Sequence, residues 1–108
     1  MEFLVLMKLS KEGMGETADE NENILDKLII PSIEELAKME KEGKARGGFF
    51  EGQRSAAFIF SVGSGEELDE ILVALPCSAV FGMESIPLEG LEDALARDRK
   101  VLEDLRKG

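Results

Sequence analysis

The sequence contains no histidine, tryptophan or tyrosine and only one cysteine. Without histidine, the chain has no imidazole for a catalytic triad or dyad, and it lacks the commonest side-chain ligand of metals. A single cysteine excludes an intrachain disulfide and any CxxC site. These absences exclude more functions than the remaining residues suggest, and we expect neither a metal ion nor a cofactor.

Basic residues are also scarce, at 13 against 23 acidic residues, for a net charge of -10. Nucleic acid and anionic membrane surfaces are bound through basic patches, so we expect neither as a partner. No segment approaches the 18 apolar residues of a membrane span. The stretch Met1–Leu9 has an acid at position 2 and only five apolar residues in a row, which is unlike a signal peptide. With the lone cysteine, this predicts a cytoplasmic protein.

The length and the apolar content predict one globular domain. The chain has 108 residues, of which 44% are apolar, enough for one modest core. We assign residues 1–108 to a single domain, with a core over 1–90 and a C-terminal helix over 91–106.

Hydrophobic spacing predicts the order of the elements. Alternating or continuous apolar runs predict four strands, over 3–9, 45–52, 55–62 and 80–88. Helical spacing predicts one helix over 18–42, a second that begins at the capping box Ser64–Glu67 and ends at Pro76, and a third over 91–106. The resulting β-α-β-β-α-β order with an extra helix is that of a ferredoxin-like α+β fold.

Two local features leave alternatives open. Pro31 interrupts the stripe of the first helix, and proline inside a helix removes a hydrogen bond. We expect either one kinked helix or two stacked helices over 18–42. The pair Gly47-Gly48 weakens its strand and indicates a bulge or a close backbone approach.

The strands 3–9, 55–62 and 80–88 are apolar on both faces, whereas the helices of this fold cover only one face of the sheet. A second copy packed sheet on sheet would cover the other face. We therefore expect a homodimer or a higher homo-oligomer. The alternative is a monomer whose C-terminal helix folds over the open face.

Two runs of residues resemble a known family. The run Glu42–Gly52 (EGKARGGFFEG) resembles a segment of the muconolactone isomerase-like and YCII-like dimeric α+β barrels. Glu66–Leu72, Leu75-Pro76 and Ser85–Leu88 resemble the C-terminal part of muconolactone isomerase-like domains. The match covers about positions 1–90. The resemblance implies a dimeric α+β barrel that binds a small apolar or aromatic-derived molecule.

An isomerase of this kind moves a proton within an unsaturated lactone. It needs a base next to the carbonyl and a cation or donor for the dienolate charge. YCII-like members carry a His–Asp pair that this chain lacks, so the base must be a carboxylate or a lysine. The candidates are Glu84 and Glu51, which lie in or beside apolar strands, because an apolar environment raises the pKa of a carboxyl group. Glu84 is expected on a central strand. Arg54 and Arg46 are the nearby cations.

The candidate ligand-binding residues are the apolar side chains Phe50, Phe58, Phe60 and Met83. The simpler interpretation is that these side chains form the core, and that Glu51 and Arg54 flank a turn in water. Glu84 then carries a strand-end or interface charge. Cys77 follows a helix-ending proline, a position that leaves open whether it is exposed or buried. We do not expect an activated thiol, because the chain has no histidine and acids surround Cys77. The alternatives to an isomerase are a non-catalytic ligand-binding or accessory protein and a structural dimerisation module.

Overall fold

Four antiparallel strands form the sheet on which the chain is built. The computed structural model describes residues 1–108, apart from the side chain of Glu12. The strands are β1 (Glu2–Leu9), β2 (Ala45–Phe49), β3 (Ser55–Ser61) and β4 (Phe81–Leu88), in the sheet order β2-β3-β1-β4. The helices are α1 (Ala18–Ile24), α2 (Ile30–Lys41), α3 (Gly65–Ala74) and α4 (Leu91–Lys107). The predicted α+β class is confirmed, and the architecture is compatible with a ferredoxin-like fold.

The strand β4 lies at an edge of this sheet, so the prediction that Glu84 lies on a central strand is wrong. The central strands are β1 and β3, and β4 pairs only with β1. The apolar residues Ile86 and Leu88 made β4 resemble a central strand, but their side chains are 38% and 41% exposed. Apolar residues on both faces of β4 therefore indicated that one face of the sheet is open. They did not indicate that β4 is a central strand.

The helix that contains Pro31 is continuous, so the alternative of two stacked helices over 18–42 is wrong. A π-helical turn (Leu25–Ile29) joins α1 to α2. Within it, the amide of Ile30 donates to the carbonyl of Leu25, five residues earlier. Proline has no amide N–H to donate to the preceding turn. The wider π-helical turn allows the helix to continue past Pro31 in spite of this.

The core lies between one face of the sheet and the helices α2 and α3. Successive side chains along β1 and β3 point to opposite faces of the sheet, so every second one enters the core. The apolar sides of the helices pack against these side chains. Its largest fully buried apolar side chains are Phe60, Leu68, Leu75 and Val5. Phe58 contacts Phe49 edge to face, with ring centroids 6.2 Å apart.

The opposite face of the sheet carries no helix; we call it the open face. Strand register places a set of apolar side chains there: Leu4, Leu6, Ala57, Ile59, Ile86 and Leu88. All of α4 is described, and none of its residues is buried. The chain measures 66 Å along its longest axis against 28 and 25 Å along the others. The alternative in which the C-terminal helix covers its own sheet is therefore wrong for this chain, because α4 extends away from the body.

Across the described residues, every helix is too short or too polar to cross a lipid bilayer.

Candidate functional site

A cleft of about 500 Å³ opens at the end of the sheet nearest the β2–β3 turn. Ligand sites in proteins typically have volumes of roughly 300–1,000 Å³. Three of the predicted site residues, Glu84, Met83 and Phe50, line this cleft. The other described lining residues are Leu6, Met7, Lys8, Ser55, Ala56 and Gly82.

The register of β1 against β4 places an acid and a cation together at this cleft. Lys8 pairs with Gly82, and Leu6 pairs with Glu84. Side chains two residues apart share a face, so Lys8 and Glu84 are diagonal neighbours across the strand pair. Among the described side chains, no ion pair joins them. Sequence reasoning missed Lys8, which the antiparallel register of β1 and β4 would have revealed.

The structure places Glu51 and Arg54 in the exposed turn between β2 and β3. Neither is among the described residues that line the cleft. The backbone carbonyl of Arg54 accepts a hydrogen bond from the amide of Leu9, at 3.2 Å. The turn therefore closes against the end of β1 through its backbone, and these two side chains extend into solvent.

The second candidate cation, Arg46, lies on β2, at the edge of the sheet opposite β4. Its guanidinium group bonds the carboxylate of Glu2 at 3.2 Å, and that carboxylate also accepts from the hydroxyl of Ser61 at 3.0 Å. Three strand spacings, about 14 Å, separate the two edges. Arg46 is thus paired elsewhere, and Lys8 is the cation beside Glu84.

The aromatic candidates divide into two groups. Phe58 and Phe60 are 7% and 0% exposed, and they pack in the core, with ring centroids 6.2 Å apart. Phe50 is 45% exposed and lines the cleft. A ligand in this cleft therefore contacts Phe50 and not the core pair.

Cys77 is buried, which settles the exposure that its position after Pro76 left open. Pro76 begins a short 3-10 turn (Pro76–Ala79) that directs Cys77 inward. The amide of Cys77 donates to the hydroxyl of Ser32 at 2.7 Å. Burial raises the pKa of the Cys77 thiol above its ordinary value of 9.0, and hydrogen bonding, first from Ser32, opposes the shift. The thiol is therefore protonated at neutral pH and shielded from reagents.

We expect the Cys77 thiol of the folded protein to react with a disulfide reagent at pH 8 at least about a hundredfold more slowly than an exposed thiol. The neighbouring variant Ser78→Cys supplies the exposed control, since Ser78 is exposed. This variant should show one fast and one slow equivalent. The raised pKa contributes stability that is present in full below pH 9 and is lost as the pH rises through the folded pKa. Two fast equivalents would show that Cys77 is accessible.

A second groove, of about 750 Å³, lies between α2 and α3. Its lining includes the charged residues Glu35, Lys38, Glu42, Lys44 and Glu70 and none of the predicted site residues. Lys44 and Glu42 already approach each other within 3.6 Å. Over the described side chains, no three carboxylates or thiols converge as a metal site would require.

No protein-family model matches the chain, and no curated protein matches it in sequence. The resemblance to muconolactone isomerase-like domains therefore stays a prediction from the residues between positions 42 and 88 of this chain.

Proposed function

We propose that the protein is a homodimer in which each copy binds a small, largely apolar molecule in the cleft beside Phe50 and Leu6. The side chain of Met83 packs against the core on the other face of the sheet. Proton-transfer isomerisation is the chemistry we assign to the cleft. The observation that carries the proposal is the pairing of an apolar lining with one acid and one cation, Glu84 and Lys8, among the described lining residues. A mostly apolar pocket with a few polar groups is typical of small-molecule sites.

In the proposed reaction, the carboxylate of Glu84 removes a proton from the saturated ring carbon beyond the C=C bond of an α,β-unsaturated lactone, which is the γ-carbon conjugated to the carbonyl through that double bond. The electron pair moves into the conjugated system and forms a dienolate, whose charge the ammonium group of Lys8 stabilises. Glu84 then returns the proton to a different carbon, so that no electrons are gained or lost. The resemblance to muconolactone isomerase-like domains supports this substrate class.

The open face supports the homodimer. Four strands of five to eight residues present roughly 440 Å² of projected area, and the relief of the side chains adds to the accessible area. Stable interfaces bury about 1,200 Å² or more, counted over both partners. Pairing two open faces would bury roughly 900 Å² of projected area, which side-chain relief brings towards this range. It would cover Leu4, Ile86 and Leu88. Because Leu6 and Glu84 lie on the same face, the second copy would also exclude water from one side of the cleft.

The test is binding and turnover with muconolactone and related unsaturated lactones. Ligand-observed NMR measures binding, and loss or movement of deuterium label on the ring measures proton transfer. Lys8→Met is expected to weaken binding or turnover about tenfold or more, because it removes the cation. Glu84→Gln is expected to retain binding but abolish label exchange.

Glu51→Gln is the matched control, because Glu51 is exposed in the turn away from the cleft. It should bind and exchange label as the parent does. Both glutamates are exposed in the single chain, so neither substitution should change the free energy of unfolding of the monomer by more than about 0.5 kcal/mol. Equal activity in the Glu84→Gln variant would overturn the assignment of the base.

A second candidate function is ligand binding without chemistry. It is favoured by the exposure of Glu84 and by the absence of any hydrogen bond that orients its carboxylate among the described side chains. A bound lactone that exchanges no label in the parent protein would select this candidate. No binding of any lactone would reject both.

A further inference from the structure

The cleft has a gap in its lining at Gly82, where the strand β4 carries no side chain. Among the described atoms outside the neighbouring residues, a Cβ atom on Gly82 would meet only the backbone oxygen of Lys8 within 4 Å, at 3.7 Å, which is ordinary van der Waals contact. Gly82 does not have a positive φ. Neither crowding nor backbone conformation therefore requires glycine at this position, and the gap is open to a ligand.

Four positions on β1 and β4 form the corners of a quadrilateral around this gap, on the open face. Lys8 lies directly opposite Gly82, and Leu6 lies directly opposite Glu84. Opposite residues of paired strands have Cβ atoms about 4.5–5.5 Å apart, and residues two apart along a strand are separated by about 7 Å. Lys8 and Glu84 therefore occupy one diagonal of the quadrilateral, and Leu6 and Gly82 occupy the other.

A molecule that contacts both polar side chains must cross the second diagonal. Leu6 fills one end of this diagonal, since its side chain is half-buried on the open face. Gly82 leaves the other end empty. A lactone ring that reaches both the carboxylate of Glu84 and the ammonium group of Lys8 is therefore seated over Gly82, beside Leu6.

We propose that Gly82 is the specificity-determining residue of the cleft, because the space left by its missing side chain holds the ring of the lactone. This inference rests on the proposed function, from which it takes the lactone and the two polar groups. It adds a size limit to the substrate class. A compact ring fits between Lys8 and Glu84, whereas a ring with a bulky group directed at the backbone of β4 does not.

A series of side chains at position 82 tests the proposal in the full-length protein. The parent, Gly82→Ala and Gly82→Leu are titrated with the unsubstituted five-membered unsaturated lactone and with muconolactone, and ligand-observed NMR measures the dissociation constants. One additional methyl group in a filled pocket weakens binding about tenfold or more. Gly82→Ala should therefore bind muconolactone about tenfold less tightly, and Gly82→Leu at least about a hundredfold less tightly. The smaller lactone should lose less affinity in each variant.

Gly48→Leu is the matched control on the same face of the sheet. Gly48 lies on β2, at the edge opposite β4, and a Cβ atom there meets nothing within 4 Å. It is absent from the described lining of the cleft. Gly48→Leu should therefore bind both lactones as the parent does. Glycine is disfavoured within strands, so urea denaturation should show that neither leucine variant is less stable than the parent.

Leu6→Ala supplies a rescue that a purely structural role of Gly82 does not predict. In the Gly82→Leu background, this substitution empties the other end of the diagonal, so the ring can move towards β1 and still reach both polar groups. The double variant should bind at least about tenfold more tightly than Gly82→Leu. Leu6→Ala alone should not improve binding, because the parent already has room for the ring.

Two results would contradict the proposal, and they differ in what else they reject. Unchanged affinity in Gly82→Leu, with label exchange still abolished by Glu84→Gln, would overturn the role of Gly82 and leave the proposed function intact. Absence of lactone binding by the parent would overturn the proposed function and this inference with it.

Discussion

Replacement of Gly47 by alanine is expected to lower the free energy of unfolding by about 2–4 kcal/mol, because β3 leaves no room for a side chain at this position. A Cβ atom on Gly47 would lie 2.2 Å from the backbone oxygen of Ala57 and 2.8 Å from the Cα atom of Phe58. The backbone at Gly47 also has a φ of 146°, which side chains rarely allow. Backbone atoms of a paired strand cannot rotate away as a side chain can, so β2 and β3 must separate locally.

Gly48 is the matched control, one residue further along the same strand. A Cβ atom there meets nothing within 4 Å. Gly48→Ala should therefore change stability by no more than about 1 kcal/mol, with a gain expected from the loss of chain entropy in the unfolded state. Urea denaturation followed by circular dichroism measures both variants. Equal midpoints for the two would show that the close approach at Gly47 is not a constraint.

Leu4→Asp is expected to weaken the proposed sheet-to-sheet dimer by at least about a thousandfold, since it buries one unpaired carboxylate per copy. Leu4 lies on the central strand β1 and points to the open face, between Ile59 and Ile86. In the separated chain, this side chain is only partly buried, so the fold tolerates the charge. Sedimentation equilibrium at micromolar concentration should then report a mass near 11.8 kDa.

The contribution of the sheet is measured apart from that of the exposed apolar residues of α4 by working with Leu102→Glu, which adds a charge among those residues. Leu102→Glu alone should keep the dimer mass, because the open faces remain intact. Addition of Leu4→Asp should then give the monomer. A monomer with Leu102→Glu alone would contradict sheet pairing, because it would place the contact that holds the two copies together on α4.

Local sequence signals located most of the fold. The capping residues Thr17 and Ser64 accept hydrogen bonds from the amides of Glu20 and Glu67 at 3.1 Å, so both helix starts were predictable. The end of α2 was equally clear, because Gly43 adopts a φ of 77°. Such signals depend on a few neighbouring residues, so they can be read from the sequence without knowledge of tertiary contacts.

The candidate site was less predictable because it depends on strand register and strand order. Glu84 was found because it interrupts an apolar strand, but its edge position follows from which strands pair. From the sequence alone, Lys8 is simply a polar residue near the end of β1. Its position near Glu84 follows only from the pairing of Lys8 with Gly82. The inward turn of Cys77 likewise depends on a hydroxyl 45 residues earlier in the chain.

That hydroxyl has a consequence for how the molecule unfolds. Ser32 donates to the carbonyl of Leu28 and accepts from the amide of Cys77, both at 2.7 Å, so it bridges the first and second halves of the chain. Movement of Ser32 away while the interior stays closed would leave the Cys77 amide without an acceptor, which is unfavourable, so the two halves must open together. The two βα halves are therefore coupled into one cooperative unit, and exchange of the Cys77 amide with solvent deuterium reports the opening of that unit as a whole.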